Sequence, residues 1–257
     1  MTAIAALRLL SPDPGRLADF YRSALGFAVD ADGHLRLGAQ RIELVATPRT
    51  AAPGGLSLGF QHFAMVAPDI EHAFARLQGT HGWRAISTSG PVHLPHRSGG
   101  VTAFKFRDPD GHPLELLHFP DGEAPAPWAG AAGPDLLGID HTALVVADTA
   151  RSVAFYEALG FRAQPGSLNH GRTQAQLDGV PAPVAEVTPL TCDGAPPHLE
   201  LLCYRTPAAA PADLACDDPL ATRTLLSGVP GDLPARDPDG HRLAAADPHS
   251  PPHDSPS

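Results

Sequence analysis

One pattern of apolar and polar positions occurs three times along the chain. About five apolar residues are followed by a short polar turn with an aspartate, and then by apolar residues at helical spacing. The copies are "AALRLLSPDPGRLADFYRSALGF" from Ala5, "QHFAMVAPDIEHAFARL" from Gln61 and "DHTALVVADTARSVAFYEALGF" from Asp140. The apolar run predicts a strand. Leu17, Phe20, Tyr21 and Leu25 in the first copy, and Val153, Phe155, Tyr156 and Leu159 in the third, predict an amphipathic helix. Leu-Gly-Phe closes both of these helices, with Gly26 and Gly160 suited to the C-terminal cap. More strand-like runs follow, the last being "RIELVAT" (41–47), "PLELLHF" (113–119) and "HLELLCY" (198–204). Each unit therefore reads as strand, helix and about three strands. A fourth, eroded copy from Pro219 to Asp247 keeps a first strand and a final turn, with almost no room for a helix.

A βαβββ unit leaves one sheet face bare, so units must pair to bury apolar surface. The expectation is an α+β protein of paired βαβββ modules forming curved eight-stranded sheets around a cup, with four modules and the fourth degenerate. Pro-, Ala- and Gly-rich linkers are expected at 48–59, 121–135 and 206–218, the middle one being the clearest boundary. Residues 1–120 would hold modules one and two, residues 136–247 modules three and four, and 248–257 a disordered tail. Two pairings remain open: sequential (one with two, three with four), or two with three and one with four.

A net charge of −10 with 6% aromatics argues against nucleic acid or an anionic membrane as partner. No apolar run reaches membrane-spanning length, and the first residues lack the build of a secretion signal. Three cysteines without a paired framework point to a reducing, cytoplasmic setting. Four modules could complete their own cups, so a monomer is allowed beside a homodimer.

Two positions recur in every unit. One lies seven residues before the turn aspartate: Ala6, His62, His141, and in the loosely registered fourth unit Thr222 or Arg223. The other is the middle of the last strand: Glu43, Glu115, Glu200, then Ala244. A carboxylate between leucines is costly if it faces a dry interior, unless it has a task there; the competing reading is an edge strand with glutamates alternating outward. His and Glu on adjacent strands are good ligands for a divalent metal, which can polarise two vicinal oxygens of a small substrate. Pairing two with three gathers His62, Glu115, His141 and Glu200. Sequential pairing gathers Glu43, His62 and Glu115 in one cup and leaves His141 and Glu200 in the other.

The loop 87–100, with His93, His96 and Arg97, reads as a lid or a solvated connection, and 167–180 as a wall of a cup mouth or a surface turn. The repeated Asp-Pro-Asp-Gly-His at 108–112 and 237–241 fits a tight turn, so His112 and His241 are expected to serve folding and not to bind metal. There is no Gly-rich phosphate loop and no serine nucleophile motif.

"IDHTALVVADTARSVAFYEALGF", "FQHFAMVAPDIEHAFARL", "FRDPDGHPLELLHF" and "PPHLELLCY" together resemble the vicinal oxygen chelate superfamily. That group includes glyoxalase I, extradiol dioxygenases, fosfomycin-type resistance enzymes and bleomycin-binding proteins. The resemblance spans nearly the whole chain and is specific for fold, weak for reaction. It implies a divalent metal (Fe, Ni, Mn or Zn) on His62, Glu115, His141 and Glu200, with Glu115 or Glu200 shuttling a proton. It speaks against an extradiol site in the second half, because the fourth unit lacks the ligands. It also admits a non-catalytic protein of the bleomycin-resistance type, holding a small molecule without metal.

Overall fold

Each expected helix begins where an aspartate ends a strand. The side chains of Asp13, Asp69 and Asp148 accept hydrogen bonds from the backbone N–H of Arg16, His72 and Arg151, a cap worth about 1 kcal/mol apiece. Gly26 then ends the first helix at φ 76°, a conformation that only glycine adopts without strain.

The computed structural model describes residues 1–51, 54–192 and 196–246; the expected disordered tail lies outside them. The first segment contains β1 (Ala3–Ser11), α1 (Pro14–Leu25), β2 (Ala28–Val29), β3 (Leu35–Leu37) and β4 (Gln40–Ala46). The second contains β5 (Gln61–Val66), α2 (Ile70–Gln78), β6 (Arg84–Ala85), β7 (Val92–His93), β8 (Thr102–Arg107) and β9 (Pro113–His118). The third contains β10 (Ile139–Val145), α3 (Thr149–Ala158), β11 (Arg162–Ala163), β12 (Ser167–His170), α4 (Arg172–Asp178), β13 (Val184–Thr191) and β14 (His198–Thr206). The last adds only β15 (Arg223–Ser227) and β16 (Arg242–Ala245), with no helix among its described residues.

The strands form two mixed sheets. One holds ten strands, in the order β11-β13-β14-β10-β5-β9-β8-β6 with β12 on β13 and β7 on β8; the other holds six, β16-β15-β1-β4-β3-β2. The sheets are thus unequal, and not eight and eight, because β7 and β12 enlarge one while the fourth segment supplies only two strands to the other. The first and last strands of a segment run parallel, as β5 does with β9 and β10 with β14. Antiparallel seams join β5 to β10 and β1 to β15. Of the two pairings open in the sequence, the chain adopts the one in which the second segment meets the third and the first meets the fourth.

The convex faces and helices bury one large apolar cluster that includes Leu7, Tyr21, Phe63, Phe104, Leu144 and Leu226. Buried Gln61 ties the two sheets together: its Nε2 donates to Thr142 Oγ1 at 3.0 Å and to Thr224 Oγ1 at 3.1 Å.

The repeated turn anchors these layers. Asp108 Oδ1 accepts the N–H groups of Asp110, Gly111 and His112 at 2.8–3.0 Å, which fixes the turn. Its Oδ2 accepts the hydroxyl of Tyr21 at 3.0 Å and lies 2.8 Å from His112 Nδ1. The second copy repeats this, with Asp237 accepting from Asp239 and His241 N–H and from Tyr156 OH at 3.1 Å. Arg16 bonds Asp110 and Arg151 bonds Asp239. A helix of one segment is therefore locked onto the turn of the next. His112 and His241 both take part in this turn: His112 Nδ1 faces Asp108, its Nε2 has no hydrogen-bond partner among the described residues, and His241 Nε2 contacts the Val145 carbonyl at 2.9 Å.

Candidate functional site

The β5–β10 seam sets the site geometry. His62 lies opposite Ala143, and His141 opposite Ala64. On the outer neighbours, Glu115 lies beside Ala64 and Glu200 beside Ala143. Side chains directly across a sheet point to the same face, so two His–Glu pairs related by a local two-fold meet on the concave side. All four line a single cavity of about 730 Å³, within the usual range for a small-molecule site.

His62 Nε2 is 2.8 Å from Glu115 Oε2. Nε2 thus has Glu115 as its partner, while Nδ1 of this buried imidazole has none among the described residues. One ligand atom each from His62, Glu115 and His141 falls within a mutual distance of 4.8 Å. The His62 and His141 rings are 5.7 Å apart. Glu200 sits to one side, its Oε2 3.7 Å from His141 Nε2 and its Oε1 3.5 Å from His198 Nε2. The structure thus brings three of the four candidate ligands into one cluster and sets Glu200 next to it.

Lys105, Asp178, Asp140, His198 and Trp128 complete the surroundings. Lys105 Nζ is 2.8 Å from Asp178 Oδ1 and 3.9 Å from Glu115 Oε2, all three buried. Asp140 Oδ2 is 3.0 Å from His141 Nδ1, and Asp140 Oδ1 accepts the indole N–H of Trp128 at 2.7 Å. Lys105 was open to sequence reasoning. It breaks an apolar strand between Phe104 and Phe106, and its register partner is Glu115. Asp140 precedes a candidate ligand, which was a second available signal. Trp128 was hidden because it lies in the stretch read as a linker, which instead walls the cavity with Pro125 and Pro127. The segment 167–180 is β12 plus α4, and its Asn169 and Gln174 line this same cavity; from 87–100, Leu94, Ser98 and Gly99 do so.

Burial alone would keep the carboxylates protonated, but their neighbours decide otherwise. For Glu115 burial is overridden by Lys105, with His62 and His141 assisting, and its pKa falls to about 2. For Glu200 burial is overridden by His141 and His198, again to about 2. Burial pushes His141 down, but Glu200 and Asp140 bring it up to about 9. His62 stays neutral, lowered by burial and by the charge of Lys105. Lining the cavity are the carboxylates of Glu115, Glu200 and Asp140 and the cations Lys105, His141 and Arg162. The imidazole and carboxylate donors gathered at His62, Glu115 and His141 are of the kind that holds a divalent cation. Asp140 also stands where a carboxylate orients a metal-binding histidine.

The six-stranded sheet offers the contrasting case. Glu43, the counterpart of Glu115, is held by Arg8 at 2.7 Å and Arg41 at 2.9 Å. The histidine positions are Ala6 and, by the β15–β16 register, Arg223. Two guanidiniums already compensate the charge of Glu43, so it has little to offer a metal cation.

Residues 3–116 match the sequence model of the Glyoxalase/Bleomycin resistance protein/Dioxygenase superfamily. The V278E mutant of glyoxalase I from Zea mays superposes with a TM-score of 0.60 at 18% identity, over 95% of this chain and 91% of that one. The chain has a glyoxalase I-like fold. A second crystal structure of Zea mays glyoxalase I superposes with a TM-score of 0.55 at 19% identity, over 81% of this chain and 69% of that one. No protein of curated function matches the sequence. No helix among the described residues is long and apolar enough to cross a membrane.

Proposed function

We propose that this protein is a glyoxalase-like, metal-dependent enzyme acting on a small substrate with vicinal oxygens, by isomerase, lyase or oxygenase chemistry. The observation that carries the reading is the buried cluster of His62, Glu115 and His141, whose ligand atoms lie within 4.8 Å of one another. His62, Glu115 and His141 would hold the metal, with Glu200 as the fourth ligand or the proton acceptor. A set of imidazole and carboxylate donors without thiolate suits Fe, Ni, Mn or Zn. When bound, such an ion would polarise the substrate's oxygens and stabilise an enediolate-like charge.

The chain's own groups have distinct tasks in this reading. Lys105 keeps Glu115 ionised and available. Asp140 orients the His141 ring. Glu115 and Glu200, both ionised and lining the cavity, are the groups able to take a proton from a substrate carbon and return it. Leu94, Val101, Leu117 and Trp128 give the cavity apolar walls that keep water from the reacting face. Those same walls favour a second reading, a non-catalytic small-molecule-binding protein of the bleomycin-resistance type. Cys203 and Cys216 are free thiols, which suits the cytoplasm.

Metal analysis of protein purified without chelator separates the two readings. Stoichiometric Fe, Ni, Mn or Zn, lost in His62→Ala, supports the enzyme. Protein that neither carries metal nor takes it up sinks that reading and leaves the binding protein.

A further inference from the structure

The concave side of the six-stranded sheet carries a row of arginines. Arg8 on β1 lies opposite Arg223 on β15, and Arg223 lies beside Arg242 on β16. Residues in direct cross-strand register share a face, and like charges so placed repel. Arg8 lies beside Glu43 on its other flank, and Glu43 also takes Arg41. Four guanidiniums therefore stand on adjoining strands with one carboxylate among them, in a protein whose net charge is −10. Elsewhere Asp30 pairs with Arg36, Asp213 with Arg236 and Asp217 with Arg49, while Asp218 accepts the Leu220 N–H.

Among the described residues, neither outer arginine meets a carboxylate. Arg223 donates to the Cys216 carbonyl at 2.7 Å and Arg242 to the Leu214 carbonyl at 2.9 Å. The buried Nε of Arg242 has no partner among the described residues. A guanidinium offers five donors in a planar fork that matches the oxygens of a phosphate. The side chain of Arg8 is 30% exposed, so solvent and small ions reach the row. The Arg223 guanidinium is destabilised by burial and by the charges of Arg242 and Arg8, as expected of cations lacking a counter-ion.

We propose that this arginine face of the six-stranded sheet binds a small phosphate-type dianion, held by Arg223 and Arg242 together with Arg8, whose guanidinium is shared with Glu43. The site is separate from the His62 cavity and takes the opposite charge. It needs no metal, and it stands or falls independently of the proposed enzymatic activity.

The test is calorimetric titration of the full, chelator-treated chain with inorganic phosphate at constant ionic strength. Saturable binding of one phosphate per chain is expected. Arg223→Gln should weaken it at least about tenfold, or ~1.4 kcal/mol; His62→Ala should leave it unchanged. Should Arg223→Gln fail to fold, Arg242→Gln carries the same expectation. Glycerol phosphate as a competitor distinguishes the sources: displacement identifies a phosphate monoester as an occupant, and failure to displace restricts the site to the free ion. Absence of saturable phosphate binding, equal affinity in the arginine variants, or loss of binding in His62→Ala would overturn the proposal.

Discussion

Replacing Lys105 by methionine keeps most of the side-chain volume and removes one buried positive charge. Two carboxylates depend on it, Asp178 at 2.8 Å and Glu115 at 3.9 Å. With an effective dielectric constant of about 20, these attractions amount to roughly 6 and 4 kcal/mol. The desolvation of a buried ammonium, several kcal/mol, opposes them. Breaking a buried pair while leaving its anions in place costs about 3–5 kcal/mol. For a chain of this size that lowers the melting temperature by about 6–20 °C, taking 2–4 °C per kcal/mol. The assay is thermal and urea unfolding of chelated protein, with Asp178→Asn and the double variant closing a cycle. A coupling of about 1–3 kcal/mol is expected. Metal-loaded Lys105→Met should recover part of the loss, because a divalent ion beside Glu115 supplies the missing charge. A melting temperature within about 2 °C of wild type would refute the idea that Lys105 holds these carboxylates.

Three further outcomes follow from the fold. Tyr21→Phe and Tyr156→Phe each remove a hydrogen bond to a buried aspartate, and each should lower unfolding free energy by about 1–3 kcal/mol in denaturant titration. Gln61→Leu leaves Thr224 Oγ1 without its donor between the sheets; a loss of about 1–3 kcal/mol is expected, and an unchanged midpoint would show the bridge to be idle. His112 is pushed down by burial but more strongly up by Asp108, so its pKa lies above the ordinary 6.5. Its contribution is fully present below about pH 6.5 and is lost as pH rises through the raised value. Urea midpoints from pH 6 to 9 should therefore fall more in wild type than in His112→Asn, and NMR should find His112 still protonated above pH 6.5.

Much of this was legible in the chain because it is local. The aspartates that end strands, the glycines after helices and the "LEL" strands all encode their structure within a few residues, and repetition made them visible. Two segments with both His and Glu at the repeated positions gave the candidate ligands before any geometry. The choice of partner strand was not legible. β5 meets β10 across an intervening stretch of about seventy residues, and both pairings bury apolar faces equally well on paper. Only His62, Glu115, His141 and Glu200 gathering in one cup hinted at the answer. Lys105 could have been read from the alternation of its strand. Asp178 could not, since α4 reaches the cavity only through the fold. Trp128 was missed because composition marks a stretch as linker without saying what its one large side chain does.

The central claim is a divalent metal site in the cup formed by β5 and β10, and not in its arginine-lined counterpart. Cobalt(II) titration of chelated protein, followed by visible absorption, tests it most directly. One site is expected in wild type and in Glu43→Gln, with the d–d bands abolished in His62→Ala and altered in His141→Ala. Cobalt spectra unchanged by His62→Ala, or lost in Glu43→Gln, would contradict the account.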